Sequence, residues 1–115
     1  MIKANYHTHS TWCDGKDSPR KAIQAAIAKG FEAIGFSSHA MLPESDTDWV
    51  LTPDRAPRYQ REIRALAEEF KDRIRVLCGV EADYVPDGEI LDDLVCFFSI
   101  FSSVIWLFYV LLIQL

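Results

Sequence analysis

Residues 18–39 read Ser-Pro-Arg-Lys-Ala-Ile-Gln-Ala-Ala-Ile-Ala-Lys-Gly-Phe-Glu-Ala-Ile-Gly-Phe-Ser-Ser-His. Ser18 offers a side-chain oxygen to the first backbone N–H groups of a helix, and Pro19 suits the first helical position because its missing N–H would go unpaired there anyway. Gly30 ends the helix, with Lys29 in its last turn. Between these signals Ala22, Ile23, Ala26 and Ile27 fall on one helical face, and Phe31 to Ser37 then reads as a short apolar strand ending at Ser38-His39. A helix followed directly by a buried strand is half of a βαβ unit, so the strand before it is the next thing to find.

Asn5-Tyr6-His7-Thr8-His9 supplies that strand. Downstream, Ile63, Leu66, Ala67 and Phe70 mark a second helical stripe, and Ile74 to Glu81 reads as a third strand. Tyr84 to Gly88 is a turn, and Glu89 to Asp93 could open a third helix. Strand, helix, strand, helix, strand predicts an α/β fold with a parallel sheet and right-handed crossovers, either the opening of a β/α barrel or part of an open sheet. The connection from Ala40 to Ala56 is rich in Pro, Asp, Glu and Thr and reads as a surface loop beside the strand ends, either a solvated connector or a cover for substrate.

The chain has 115 residues, half of them apolar, which is room for one small domain. Its net charge of -5 is carried wholly by residues up to Asp93, with no basic stripe to neutralise phosphates, so nucleic-acid binding is not indicated. Cys13, Cys78 and Cys96 form no C-x-x-C pair and are read as free thiols; with no secretory stretch at the N-terminus, a reduced cytoplasmic setting is expected.

His7 and His9 alternate along their strand and so present two imidazoles on one face. Two polar residues on a solvated strand face would look the same, but His39 closes the second strand and Glu81 the third. Carboxyl ends of parallel strands are where sites assemble, and three successive strands each deliver a metal-competent group there. Imidazole and carboxylate together suit zinc, manganese or iron, and a glutamate can bridge two ions. Bridged ions serve phosphomonoester hydrolysis by activating water and neutralising the phosphoryl group. No P-loop is present.

His7-Thr8-His9 with Cys13-Asp14-Gly15, then Gly35-Phe36-Ser37-Ser38-His39, then Gly79-Val80-Glu81-Ala82-Asp83-Tyr84, resemble the first three motifs of the PHP (polymerase and histidinol phosphatase) superfamily, closest to its histidinol-phosphatase branch. The resemblance runs from about Ile2 to Leu94. It implies the N-terminal portion of a distorted (β/α)7 barrel binding two or three divalent ions. His7 and His9 would hold one ion, Glu81 would bridge it to a second, and Asp14 with His39 would belong to a third; His7, His9 and Glu81 would act in catalysis through these ions. Asp83 and Tyr84 would have supporting roles. The implied reaction is hydrolysis of L-histidinol phosphate to L-histidinol and phosphate, in histidine biosynthesis. Members of the family continue further and supply more ligands and basic residues, so residues 1–94 are expected to be a truncated PHP domain with an incomplete site and impaired activity.

Residues 95–115 leave the family pattern. Val95 to Ile113 is an uncharged, mostly apolar run of 19 residues, which as a helix would be about 28 Å long, close to a bilayer's hydrocarbon thickness. An apolar helical tail is expected, either a transmembrane-like segment or the product of a shifted reading frame. Its aromatic and β-branched residues, Ser99, Ser102 and Ser103, and the lack of a Lys or Arg anchor favour the shifted frame. The alternative to a phosphatase is therefore a non-catalytic metal-binding remnant associated with a membrane through this tail. A third reading, PHP chemistry on nucleic acids, is disfavoured by the acidic balance. Oligomeric state is not legible.

Overall fold

A computed structural model describes residues 3–41, 48–83, 104–107 and 110–113. Its elements are β1 (Ala4–Thr8), α1 (Pro19–Ala28), β2 (Ala33–His39), α2 (Ala56–Phe70), β3 (Arg75–Asp83), β4 (Val104–Leu107) and β5 (Val110–Ile113). β1, β2 and β3 are neighbouring parallel strands in that order. The two helices are their crossovers, as the alternation of elements predicts.

The local chemistry of α1 follows its sequence. Ser18 Oγ accepts from Lys21 N at 3.4 Å, Pro19 opens the helix, and Gly30 leaves it at φ +77°, a left-handed conformation that glycine adopts without a Cβ clash. α2 starts without a side-chain cap; the backbone N–H of Ala56 instead donates to the Thr52 carbonyl at 3.0 Å. Its buried stripe of Tyr59, Ile63, Leu66 and Phe70 packs in one core with Ile23 and Ala26 of α1 and with Ile34, Phe36, Val76, Cys78 and Val80 of the sheet. β2 is buried from Ala33 to Ser38 and only His39, at its carboxyl end, is partly exposed.

Two features differ from the sequence expectation. β1 carries an irregularity: Ala4 and Asn5 pair with Ala33 and Ile34, whereas Thr8 pairs with Phe36, so β1 spends one extra residue over this stretch. A Cβ on Gly35 would lie 3.1 Å from the Tyr6 Cα and carbonyl oxygen, so the glycine lets the bulged backbone come close.

The second difference is the tail. Where a helix is expected across residues 95–115, the described segments are the strands β4 and β5, and β5 pairs antiparallel with β3 through Glu81↔Leu112, Ala82↔Leu111 and Asp83↔Val110. Val, Ile, Leu and Trp fit a pleated surface, and the free edge of β3 offers hydrogen bonds to a passing extended segment. The sheet order becomes β1-β2-β3-β5-β4. Among the described residues no helix is long and apolar enough to cross a membrane, so the membrane-anchored alternative gains no support. The turn expected at Tyr84–Gly88 and the helix start at Glu89–Asp93 lie outside the described residues.

Candidate metal centre

β2 and β3 stay in register to their ends, where His39 pairs with Glu81 and the Ala40 N–H donates to the Glu81 carbonyl at 2.7 Å. This pairing puts the two functional side chains on the same face of adjacent strands. β1 brings His7 and His9 alongside, their rings stacked with centroids 5.0 Å apart. Glu81 Oε2 then lies 2.9 Å from His9 Nε2 and 3.1 Å from His7 Nε2, and the two imidazole nitrogens are 3.0 Å apart. Three donor atoms converge at separations near the ~3.3 Å edge of a tetrahedron with zinc-like bonds of ~2.0–2.1 Å. The chemistry and spacing of this set fit a divalent ion.

A second group adjoins the first. Asp14 Oδ1 lies 2.7 Å from His9 Nδ1, and Asp14 Oδ2 lies 3.5 Å from His39 Nε2. His39 Nδ1 in turn is 3.6 Å from Glu81 Oε2. The atoms of His7, His9 and Glu81, and those of His9, Asp14 and His39, each fall within 4.8 Å of one another. His9 is common to both groups. A neutral imidazole ligating through Nε2 carries its proton on Nδ1, which here points at the Asp14 carboxylate, the arrangement that fixes a metal-bound histidine's tautomer. The hydrogen bond from His9 holds the Asp14 carboxyl below its usual range.

The turn that carries Asp14 is compact because Gly15 has no side chain. Cys13 N and Gly15 N both donate to the Ser10 carbonyl, at 2.9 and 3.0 Å, folding the turn back on the end of β1. A Cβ on Gly15 would sit 2.3 Å from Ser10 N and 2.5 Å from the His9 carbonyl carbon. Trp12, from the same turn, is held by α2: its indole N–H donates to Glu62 at 2.8 Å, its ring meets Tyr59 edge-on, and the Arg55 guanidinium lies 5.6 Å from the ring centre. Beyond the end of β1, Leu51 N donates to the His39 carbonyl at 2.7 Å, so the returning part of the 40–56 loop continues the sheet edge beside the site. The neighbouring Trp49 ring stands edge-on to His39.

All five residues singled out from the sequence, His7, His9, Asp14, His39 and Glu81, therefore lie in one cluster at the carboxyl ends of β1, β2 and β3. Trp49, which meets His39, and the Trp12–Arg55 pair, which joins the Asp14 turn to α2, escape motif reading; two tryptophans in otherwise polar connections are the available signal. Cys13 and Cys78 are free thiols. Of the supporting residues, Asp83 ends β3 and Tyr84 lies outside the described residues.

Three parallel strands whose carboxyl ends gather three histidines, a glutamate and an aspartate present two groups of side chains with the chemistry and spacing to hold divalent ions. The chain belongs to the PHP family: the PHP domain matches residues 5–106. It is 39% identical over 88 residues to the DNA polymerase/3'-5' exonuclease PolX of Bacillus subtilis, matching 76% of this chain and 15% of that protein. It is 33% identical over 110 residues to the histidinol-phosphatase of the same organism, matching 89% of this chain and 40% of that one. The crystal structure of histidinol phosphate phosphatase from Lactococcus lactis, complexed with zinc, L-histidinol and phosphate, superimposes with a TM-score of 0.66 at 33% identity, over 84% of this chain and 35% of that one. The chain thus spans less than half the length of these relatives.

Proposed function

We propose that the chain is the N-terminal part of a metal-dependent histidinol-phosphatase, hydrolysing L-histidinol phosphate to L-histidinol and phosphate in histidine biosynthesis. The observation that carries this reading is the convergence of His7 Nε2, His9 Nε2 and Glu81 Oε2 within 3.1 Å of one another. Kinship with histidinol-phosphatases of two organisms supports the choice of substrate.

In this reading His7, His9 and Glu81 would hold ions at one group, and His39 with Asp14 would hold an ion at the other. Asp14 Oδ1 keeps the His9 proton on Nδ1 and so keeps Nε2 free. Zinc, manganese or iron at these positions would supply positive charge for the phosphoryl oxygens and an activated water. The residues act by holding that charge at the strand ends, where one side of the cluster stays open: the His7 side chain is half exposed, while those of Glu81 and His9 are mostly covered.

The reading is tested by phosphate release from L-histidinol phosphate with added manganese or zinc. Turnover that disappears in Glu81→Gln and His7→Ala supports it; no turnover at any metal concentration leaves the non-catalytic metal-binding remnant as the reading of this chain, and failure to bind manganese or zinc at all overturns both. Kinship with a polymerase/exonuclease makes the phosphodiester end of a nucleic acid the competing substrate. The acidic balance speaks against that substrate, and nucleotide release from an oligonucleotide under the same conditions would establish it instead.

A further inference from the structure

Beside the cluster stands one large aromatic side chain that is only partly covered, Trp49. Val50 and Leu51 are fully buried, Leu51 is hydrogen-bonded to the end of β2, and Arg55 Nη1 donates to the Val50 carbonyl at 3.2 Å. The backbone next to Trp49 is therefore anchored on its C-terminal side, yet Trp49 itself is 42% exposed. Its ring stands at 80° to that of His39, with centroids 5.2 Å apart, so one edge contacts the cluster and part of the ring surface remains bare. Trp12 makes the contrast. Its N–H, its ring edge and its ring face are all engaged by Glu62, Tyr59 and Arg55.

Trp49, unlike Trp12, presents an indole surface that its contact with His39 leaves partly uncovered. An indole fixed beside a metal-competent histidine and open to solvent is suited to stacking on a planar or cationic group, because its π-face is electron-rich. We infer that Trp49 is the specificity platform of the site, stacking against the imidazole ring of the alcohol half of the substrate while the phosphoryl half lies at the histidine and carboxylate cluster. The inference rests on the phosphatase reading for the identity of the ring. It assigns to Trp49 the discrimination between esters carrying an aromatic or cationic ring and esters without one.

Calorimetric titration of the full chain with L-histidinol, with and without manganese, tests this assignment against the same titration with inorganic phosphate in manganese. Trp49→Ala is expected to weaken L-histidinol binding about tenfold, the scale of one stacking contact, while Trp49→Phe stays within about threefold of wild type. Phosphate affinity is expected to be unchanged in both variants. The inference is overturned if wild-type protein binds no L-histidinol, if Trp49→Ala binds it as wild type does, or if Trp49→Ala loses phosphate affinity by the same factor, which would make Trp49 a support for His39. Manganese-dependent phosphate binding by the wild type reports separately on the phosphatase reading, so the two ideas can fail independently.

Discussion

Gly15 shows how a residue with no chemistry of its own can govern a site. Its missing side chain is what allows the 10–17 turn to close on the end of β1 and bring the Asp14 carboxylate to 2.7 Å from His9. In Gly15→Ala the new methyl would fall within 2.5 Å of backbone atoms of His9 and Ser10, so the turn or the strand must move. We expect the substitution to lower stability by on the order of 1–3 kcal/mol, the usual cost of overpacking. Metal affinity should fall by about 10–100-fold, the usual consequence of misplacing a metal ligand's hydrogen-bonding partner. Denaturant melts and manganese titrations check the two effects, and a variant that binds manganese as tightly as wild type would remove Gly15 from this role. The sequence exposes the candidate ligands: His7, His9, His39 and Glu81 follow from period and strand-end position, and Asp14 from the family resemblance. It does not expose the closeness of Gly15 to Ser10, because that contact depends on how a turn folds, and Asp14-Gly15 reads equally well as an open turn.

At the scale of elements, the three parallel strands and two helices are legible because capping signals, the 3.6-residue stripe and buried strand runs agree with one another. β4 and β5 are not, because an unbroken apolar run has no period to separate helix from strand, and length alone favours the helix. What decides between them is tertiary: the side of β3 away from β2 pairs with β5, a partnership that only the assembled sheet reveals. The packing of α2 on β3 carries its own prediction. Tyr59 OH donates to the Gly79 carbonyl at 2.8 Å in the core, and burial pushes the neighbouring Cys78 thiol from 9.0 up to about 12. Burial likewise raises the Tyr59 phenol. An unfolded chain releases the Cys78 proton above pH 9 and the folded chain does not, so the thiol's contribution is fully present below pH 9 and is lost as pH rises toward 12. Stability from denaturant melts should therefore fall over this window, with Cys78 contributing up to ~1.4 kcal/mol per pH unit. Cys78→Ala should show a shallower decline than wild type over the same range, whatever its stability at neutral pH. Parallel declines would mean that the thiol titrates alike in the folded and unfolded chain.

For the molecule as a whole, the ions are proposed to bind where three strands meet, so occupancy is linked to folding: an unfolded chain scatters His7, His9, His39 and Glu81 and loses the cluster. A ligand that binds only the folded state at a hundred times its dissociation constant adds about 2.7 kcal/mol. For a chain near 100 residues that corresponds to a rise in melting temperature of about 10 °C or more. Manganese or zinc is accordingly expected to raise the thermal midpoint by this amount, and a chelator to reverse it. Glu81→Gln and His9→Ala should abolish the rise, because the first removes the carboxylate's negative charge and the second a nitrogen donor from the set that converges within 3.1 Å. His9→Ala should be the more damaging of the two, since His9 is the member common to both metal-competent groups. A thermal midpoint indifferent to metal and to chelator in the wild-type chain would mean that the strand ends gather these side chains without binding ions through them, and the phosphatase reading would lose its chemical basis. A rise that survives both substitutions would move the ions to other residues while leaving the fold unaffected.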